Sequence, residues 1–256
     1  MIFDTHAHYD DEDFDADRDV LLQTLHKDGV ERIVNIGASL ASTGKTVELS
    51  EQYDFVYAAV GVHPSDTAPL TDSDMDWLRE LSAKEKVVAI GEIGLDYHYD
   101  EPDRETQKKW FKRQLSLARE VGLPVSIHSR EAAQDTLEIM KAAHAEEIGG
   151  VIHCFSYGWD MAKIYLDMGF YLGIGGVVTF KNGKKLKEVV SKMPLNRIVL
   201  ETDAPYLSPE PYRGKRNHSG NLVFVAEAIA QIKGISVEEV YEATRKNALD
   251  MYAFPK

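Results

Sequence analysis

The sequence predicts an α/β fold, a single (β/α)8 barrel over residues 1–256 with its functional groups at the carboxyl ends of the strands. Three observations predict it. Short apolar runs recur eight times with helical patterns between them. Several runs are nearly all apolar, such as Ile33-Val34-Asn35-Ile36 and Val87-Val88-Ala89-Ile90, as parallel strands covered on their outer side require. No Pro/Gly/Ser-rich linker, low-complexity tract or internal repeat divides a chain whose length suits one such barrel. A doubly wound open sheet is the competing architecture, but it would more often carry a Gly-rich phosphate loop after its first strand, and none is present.

Taken in order, the expected strands are residues 2–6, 32–37, 56–63, 87–92, 124–128, 151–153, 170–175 and 197–203. Residues 17–27 read as a helix closed by Gly29. Residues 104–121 read as another, closed by Gly122 with Pro124 beyond, a common stop signal. Within it Phe111, Leu115 and Ala118 follow the i, i+4, i+7 spacing of a buried face. Ser236-Val237-Glu238-Glu239 has capping-box spacing and opens a last helix toward Met251.

Composition narrows the function. A net charge of −13 argues against a protein that coats nucleic acid through a broad basic surface, though not against an enzyme that grips one or two phosphates beside bound metal ions. No run approaches the roughly 20 apolar residues of a membrane span, so no membrane partner is expected, and no obligate protein partner either. The chain opens on a strand rather than on the basic and apolar regions of a secretory signal. Its one cysteine, Cys154, fits a reducing compartment, so a cytoplasmic location is expected.

The chemistry lies at the predicted strand ends. His6 and His8, two apart on a strand, point to one face and form a chelating half-site. Five of the other seven strands end in His63, Glu92, His128, His153 and Asp203. Buried charged groups are costly unless paired or metal-bound, and so many at equivalent positions point to a polynuclear metal site. His6, His8 and Asp203, on the first and last strands of a closed barrel, are expected to hold one ion. His128 and His153 are expected to hold a second, with Glu92 bridging. Mixed imidazole and carboxylate ligation suits two divalent ions drawn from Zn, Mn, Ni, Fe or Mg. Such a pair generates hydroxide at neutral pH and stabilises entering and leaving oxygens, which is hydrolysis, most naturally of a phosphoester.

Six segments then carry a resemblance: Phe3-Asp4-Thr5-His6-Ala7-His8; Gly61-Val62-His63-Pro64; Gly91-Glu92-Ile93-Gly94-Leu95-Asp96-Tyr97; Leu123-Pro124-Val125-Ser126-Ile127-His128-Ser129-Arg130; His153-Cys154-Phe155-Ser156; and Glu201-Thr202-Asp203-Ala204-Pro205-Tyr206-Leu207. In this order they resemble the TatD-type metal-dependent DNase family, within the metal-dependent hydrolase superfamily of TIM barrels, over essentially the whole chain. The resemblance implies a divalent-metal nuclease or phosphodiesterase acting on DNA, often from a 3′ end, with His6, His8, Glu92, His128, His153 and Asp203 as metal ligands. It also places His63 and the loop Tyr212-Arg213-Gly214-Lys215-Arg216 near substrate. The chain departs from the family after Asn217, where Glu-Pro is common and His218-Ser219-Gly220 stands here.

Roles follow from residue type. Asp203 can take a proton from water as well as bind metal. His63 can hydrogen-bond a phosphate oxygen or hold a metal ligand in place. Arg130 offers a fork to phosphate or an ion pair with Glu131. Arg213, Lys215 and Arg216 read as a phosphate grip, Lys181, Lys184, Lys185 and Lys187 as a charged helix face, and Lys108, Lys109, Lys112 and Arg113 as a solvated one. Strand alternation should turn Cys154 away from the His153 side. Tyr97 and Tyr206 either stack on a base or pack the rim. His26 and His144 read as surface residues. The leading function is hydrolysis of DNA phosphodiesters, single-stranded or at ends. The competing readings are hydrolysis of a carboxyl ester or C–N bond, including an aminoacyl ester on tRNA, and a non-catalytic metal-binding barrel. Strand 4 ends in Glu92 rather than in the modified lysine common among C–N hydrolases of this superfamily, which leans toward the nuclease.

Overall fold

The computed structural model describes residues 1–99 and 101–254. Eight strands, β1 (Ile2–Ala7), β2 (Val30–Ile36), β3 (Val56–Val60), β4 (Val87–Asp96), β5 (Val125–Arg130), β6 (Gly150–Ile152), β7 (Tyr171–Ile174) and β8 (Ile198–Leu200), form one parallel sheet in chain order. Helices α1 (Arg18–Lys27), α2 (Leu40–Gln52), α3 (Asp72–Ser82), α4 (Arg104–Val121), α5 (Ala133–Ala142), α6 (Trp159–Asp167) and α7 (Lys184–Lys192) join consecutive strands. Two more, α8 (Leu222–Lys233) and α9 (Val237–Met251), follow the last strand. Among the described residues, no single helix is long and apolar enough to cross a membrane.

The barrel closes through the segment that follows β8 rather than through a full β8–β1 ladder. Ala7 and Ala204 form a parallel bridge, Asp203 N–H donates to His6 O (2.9 Å) and His8 N–H to Ala204 O (2.8 Å). Buried Asp4 fastens the seam: its carboxylate accepts from Thr202 N–H (3.0 Å), Thr202 Oγ1 (2.7 Å) and Ser219 Oγ (2.7 Å).

The strands differ from the sequence expectation mainly at their carboxyl ends. β3 stops at Val60, and His63 instead caps a 3-10 turn over Pro64–Asp66. β8 stops at Leu200, where its pairing with β7 ends at Ile174, rather than reaching residue 203, and Asp203 itself takes a left-handed backbone with φ 58°. β4 instead runs four residues past Glu92 and pairs Gly94 with His128 and Asp96 with Arg130. Gly94 permits that approach: a Cβ there would sit 1.9 Å from His128 O.

Most apolar side chains pack in the shell between sheet and helices. A second cluster joins Phe3, Val34, Ala59, Val88, Val151 and Val199, from strands spaced all round the sheet. Side chains from such strands meet only inside the barrel, where α9 adds Leu249 and the chain just beyond it Tyr252. Tyr252 OH donates to Thr5 O (2.9 Å), so this segment plugs the barrel end opposite the site.

Helix α4 has the bounds expected from sequence. Asp103 caps it by accepting from Glu105 and Thr106 N–H, and Gly122 closes it with φ 71°. Its buried face carries two glutamines beside the apolar residues. Gln107 Oε1 accepts from Asp96 N–H (2.9 Å) while its Nε2 donates to Asp96 O (2.9 Å). Gln114 does the same at Val62, at 2.8 and 3.0 Å. One helix thereby fixes the backbone at the end of β4 and immediately before His63.

Candidate metal centre

His6 sits at the end of β1 with no exposed surface, and His8 follows one residue past the strand. His8 Nδ1 lies 2.9 Å from Ile36 O and must donate there, which leaves the Nε2 lone pair free. His6 Nδ1 lies 3.2 Å from Ser126 Oγ. The two Nε2 atoms converge to 3.1 Å. Glu92 Oε2 stands 3.4 Å from His6 Nε2 and 3.7 Å from His8 Nε2; Asp203 Oδ1 stands 3.8 and 3.4 Å from the same atoms. Ligands about 2.0–2.1 Å from a tetrahedral ion lie roughly 3.3–3.4 Å from one another. These four donors already have the spacing of a cage for one ion, so the residues present fit a divalent metal.

Glu92 turns its other oxygen to a second group. Its Oε1 lies 2.7 Å from His128 Nδ1, 3.6 Å from His153 Nε2 and 3.9 Å from His63 Nε2. His153 stands between the two groups: its ring stacks on His6 at 3.5 Å between centroids, and Nε2 is 3.8 Å from Asp203 Oδ1. The other five residues expected as ligands therefore gather around Glu92, with the ring centroids of His128 and His153 6.2 Å apart.

The electrostatics are those of a site built for positive charge. Burial works to raise the Glu92 carboxyl, but His153 and His6 and the hydrogen bond from His128 hold it well below the ordinary value. Burial would lower His153, yet Glu201, Glu92 and Asp203 push it up to about 10; Asp203 and Glu92 similarly lift His8 to about 9 against its burial.

Two further carboxylates, Asp96 and Glu201, join the site although neither ends an expected strand. Asp96 lies four residues after Glu92 on β4, an even spacing that puts both on one face, and its Oδ2 is 3.2 Å from His128 Nε2. Buried Glu201, two before Asp203, has Oε1 3.2 Å from His153 Nδ1, without hydrogen-bond alignment, and accepts from Cys154 N–H (2.5 Å). Gly173 makes room for it, since a Cβ there would lie 2.0 Å from Glu201 Oε2.

The expectation for Cys154 is corrected. β6 ends at Ile152 and Cys154 has φ 44°, so strand alternation no longer applies, and the thiol comes within 4.8 Å of donor atoms of both His153 and Asp203.

His63 reaches the same cavity. Its Nδ1 accepts from Ser65 N–H (3.2 Å), which puts the proton of the neutral ring on Nε2, and burial with the nearby His128 lowers its pKa to about 3. An Nε2 that carries a proton is a donor to substrate rather than a ligand. The cavity holds about 570 Å³, and Arg130 and Tyr99 stand at its edge. A neighbouring cavity of about 480 Å³ is lined by Arg213, Lys215 and Tyr206. Arg216 is taken out of the grip: it donates to Asp17 (2.8 and 2.6 Å) and to Asp13 O (2.6 Å). Tyr97 packs at the rim, its OH bonded to Asp135 (2.6 Å) and Arg104 over its ring. Lys184, Lys185 and Lys187 lie on α7 as a charged helix face, while Lys108 and Arg113 pair with Asp135 and Asp72. His26 and His144 are both exposed, as expected, and His26 also bonds Val30 O (2.9 Å) and stacks on Phe55.

Residues 3–253 match the family model described as TatD related DNase. The chain belongs to this family. Proteins similar to it include the metal-dependent hydrolase YabD of Bacillus subtilis, 46% identical over 98% of this chain and 99% of that one, and the metal-dependent hydrolase YcfH of Escherichia coli, 37% identical over 96% and 94%. The crystal structure of the E. coli TatD homologue YjjV superposes with a TM-score of 0.93 at 30% identity, covering 99% of this chain and 98% of that one. The TatD-related chain is a metal-dependent hydrolase on a TIM-barrel fold.

Proposed function

We propose that the protein hydrolyses phosphodiester bonds in DNA, with His6, His8, Glu92 and Asp203 holding one divalent ion and Glu92, His128 and His153 a second. The observation that carries the reading is the pairing of this donor set with unneutralised cations at its mouth. Among the described residues Arg130, Arg213 and Lys215 form no ion pair and no side-chain hydrogen bond; Arg130 and Arg213 lie over the rings of Tyr99 and Phe180, and Lys215 stands 5.9 Å from the Tyr212 ring. In a chain of net charge −13, uncompensated cations around a metal pocket favour an anionic substrate. That supports a phosphodiester over a neutral ester or amide.

Bound divalent ions would supply Lewis acidity toward phosphoryl oxygens and a lowered pKa for water. The chain's own groups do the rest. Asp203, kept ionised against its burial by His153 and His8, accepts the proton of the attacking water. His63 Nε2–H donates to a phosphoryl oxygen. Arg130 orients the phosphate from the β5 side, and Arg213 and Lys215 hold the next one along the strand. The test is release of nucleotides from 3′-labelled single-stranded DNA in the presence of divalent metal. Turnover should vanish on chelation and fall at least 100-fold in Asp203→Asn. An enzyme that leaves DNA intact while hydrolysing esters or amides overturns the reading.

A further inference from the structure

The mouth carries an exposed aromatic ring beside cations on each of two sides. Tyr206 follows β8 and stands 53% exposed, its ring 6.5 Å from His8 and its OH fastened to Asp11 (2.8 Å). It lines the metal cavity and also the basic cavity of Arg213 and Lys215, so it divides them. Tyr99 follows β4 and is 57% exposed on the edge of the metal cavity, with Arg130 over its ring at 5.7 Å. In an eight-stranded barrel the β8–β1 seam lies across the axis from the β4–β5 pair. Strand spacing and tilt give such a barrel a diameter of roughly 15 Å. The two exposed rings therefore stand on opposite rims, each beside unneutralised cations, with Glu92 and its histidines between them. Two exposed rings at the edges of one polar cavity, each beside a cation, are placed for a planar anionic ligand.

We infer that Tyr99 and Tyr206 are stacking platforms for two nucleobases of an unpaired strand, one on each side of the scissile linkage. This rests on the nuclease reading and deepens it. A duplex keeps its bases stacked on one another, and only an unpaired strand offers free base faces on both sides. The tether to Asp11 holds the Tyr206 side chain in place before substrate arrives, and Arg130 and Lys215 meet the phosphates that flank the two bases.

The test is equilibrium binding of phosphorothioate trithymidylate, which resists hydrolysis, to the metal-loaded protein. The first or third thymine is replaced in turn by 5,6-dihydrothymine, which keeps the polar edge and loses the aromatic face. Wild type should lose about 5- to 150-fold in affinity at either end. Tyr206→Ala should lose the same amount with the unmodified ligand and nothing more when one end is saturated. Tyr99→Ala should do so for the other end, and Tyr206→Phe and Tyr99→Phe should keep near-wild-type affinity. Unchanged affinity in both alanine variants overturns the inference. So does coupling of both tyrosines to the same end, which would mean that the strand leaves on one side only. Coupling as expected with no turnover of ordinary oligonucleotide in any divalent metal would leave the platforms standing and sink the nuclease reading.

Discussion

At the scale of single residues, the site turns on Glu92, whose two oxygens serve different neighbours. Around it, Glu201 shows how a buried group can act through another. It touches His153 Nδ1 and leaves its own Oε2 without a partner, in a space that Gly173 keeps open. Carboxylates in this position orient a ligating histidine and raise its basicity. Glu201→Gln should weaken divalent-metal affinity about 10- to 100-fold, read by competition with a chromophoric chelator, with little change in thermal midpoint. Gly173→Ala should weaken it similarly by displacing the same carboxylate. Equal affinity in both variants would assign Glu201 to packing alone. Arg213 tests the grip: Arg213→Ala should raise KM for an oligonucleotide about 5- to 30-fold with kcat little changed, the pattern of a group that binds ground state and transition state alike.

At the scale of elements, helix α4 sets the site. Phe111, Leu115 and Ala118 gave its buried stripe in the sequence, but Gln107 and Gln114 lie on that stripe too, at i and i+7. A polar residue inside an apolar face was the available signal that the helix pins backbone rather than merely packs. Gln114→Leu should orphan the N–H and C=O of Val62 and cost about 2–4 kcal/mol, a fall of roughly 5–15 °C in thermal midpoint, with a loss of activity because His63 is next in the chain. A second link is made between β2 and α9, where Arg245 donates to Glu31 (2.6 Å for Nη2 to Oε1). The hydrogen bond from Arg245 holds the Glu31 carboxyl below its ordinary value, so the pair stabilises the fold above the unfolded carboxyl pKa near 4.3 and the contribution is lost as pH falls through the lower folded value. Both groups are partly solvated, so the pair contributes about 1 kcal/mol or less. Chemical denaturation of Glu31→Gln against wild type should show that deficit at pH 7 and show it shrinking below pH 4.

At the scale of the whole molecule, the architecture was legible because eight apolar runs and eight helical patterns alternate without interruption, and closure of such a sheet places the runs' ends together. That same closure made His6, His8, Glu92, His128, His153 and Asp203 readable as one constellation although they span almost the whole chain. What the sequence hid lies where strands stop. Asp203 and Cys154 adopt left-handed backbone immediately past β8 and β6, and no local pattern marks a non-glycine residue that will do so. The division of the basic loop was hidden for another reason: Arg216 is spent on Asp17, a partner 199 positions away, and only the fold shows that Arg213 and Lys215 have none among the described residues. The C-terminal plug is likewise long-range. Tyr252→Ala should open a cavity beside Phe3 and Phe254 and cost about 3–5 kcal/mol, measurable as an earlier urea midpoint. If Glu92, one buried carboxylate, joins two metal sites, the stoichiometry of bound metal shows it. Protein loaded with zinc or manganese, freed of excess and measured by elemental analysis, should hold two ions per chain, and Glu92→Ala should hold at most one and be inactive. One ion in the wild type, or two retained by Glu92→Ala, would contradict it.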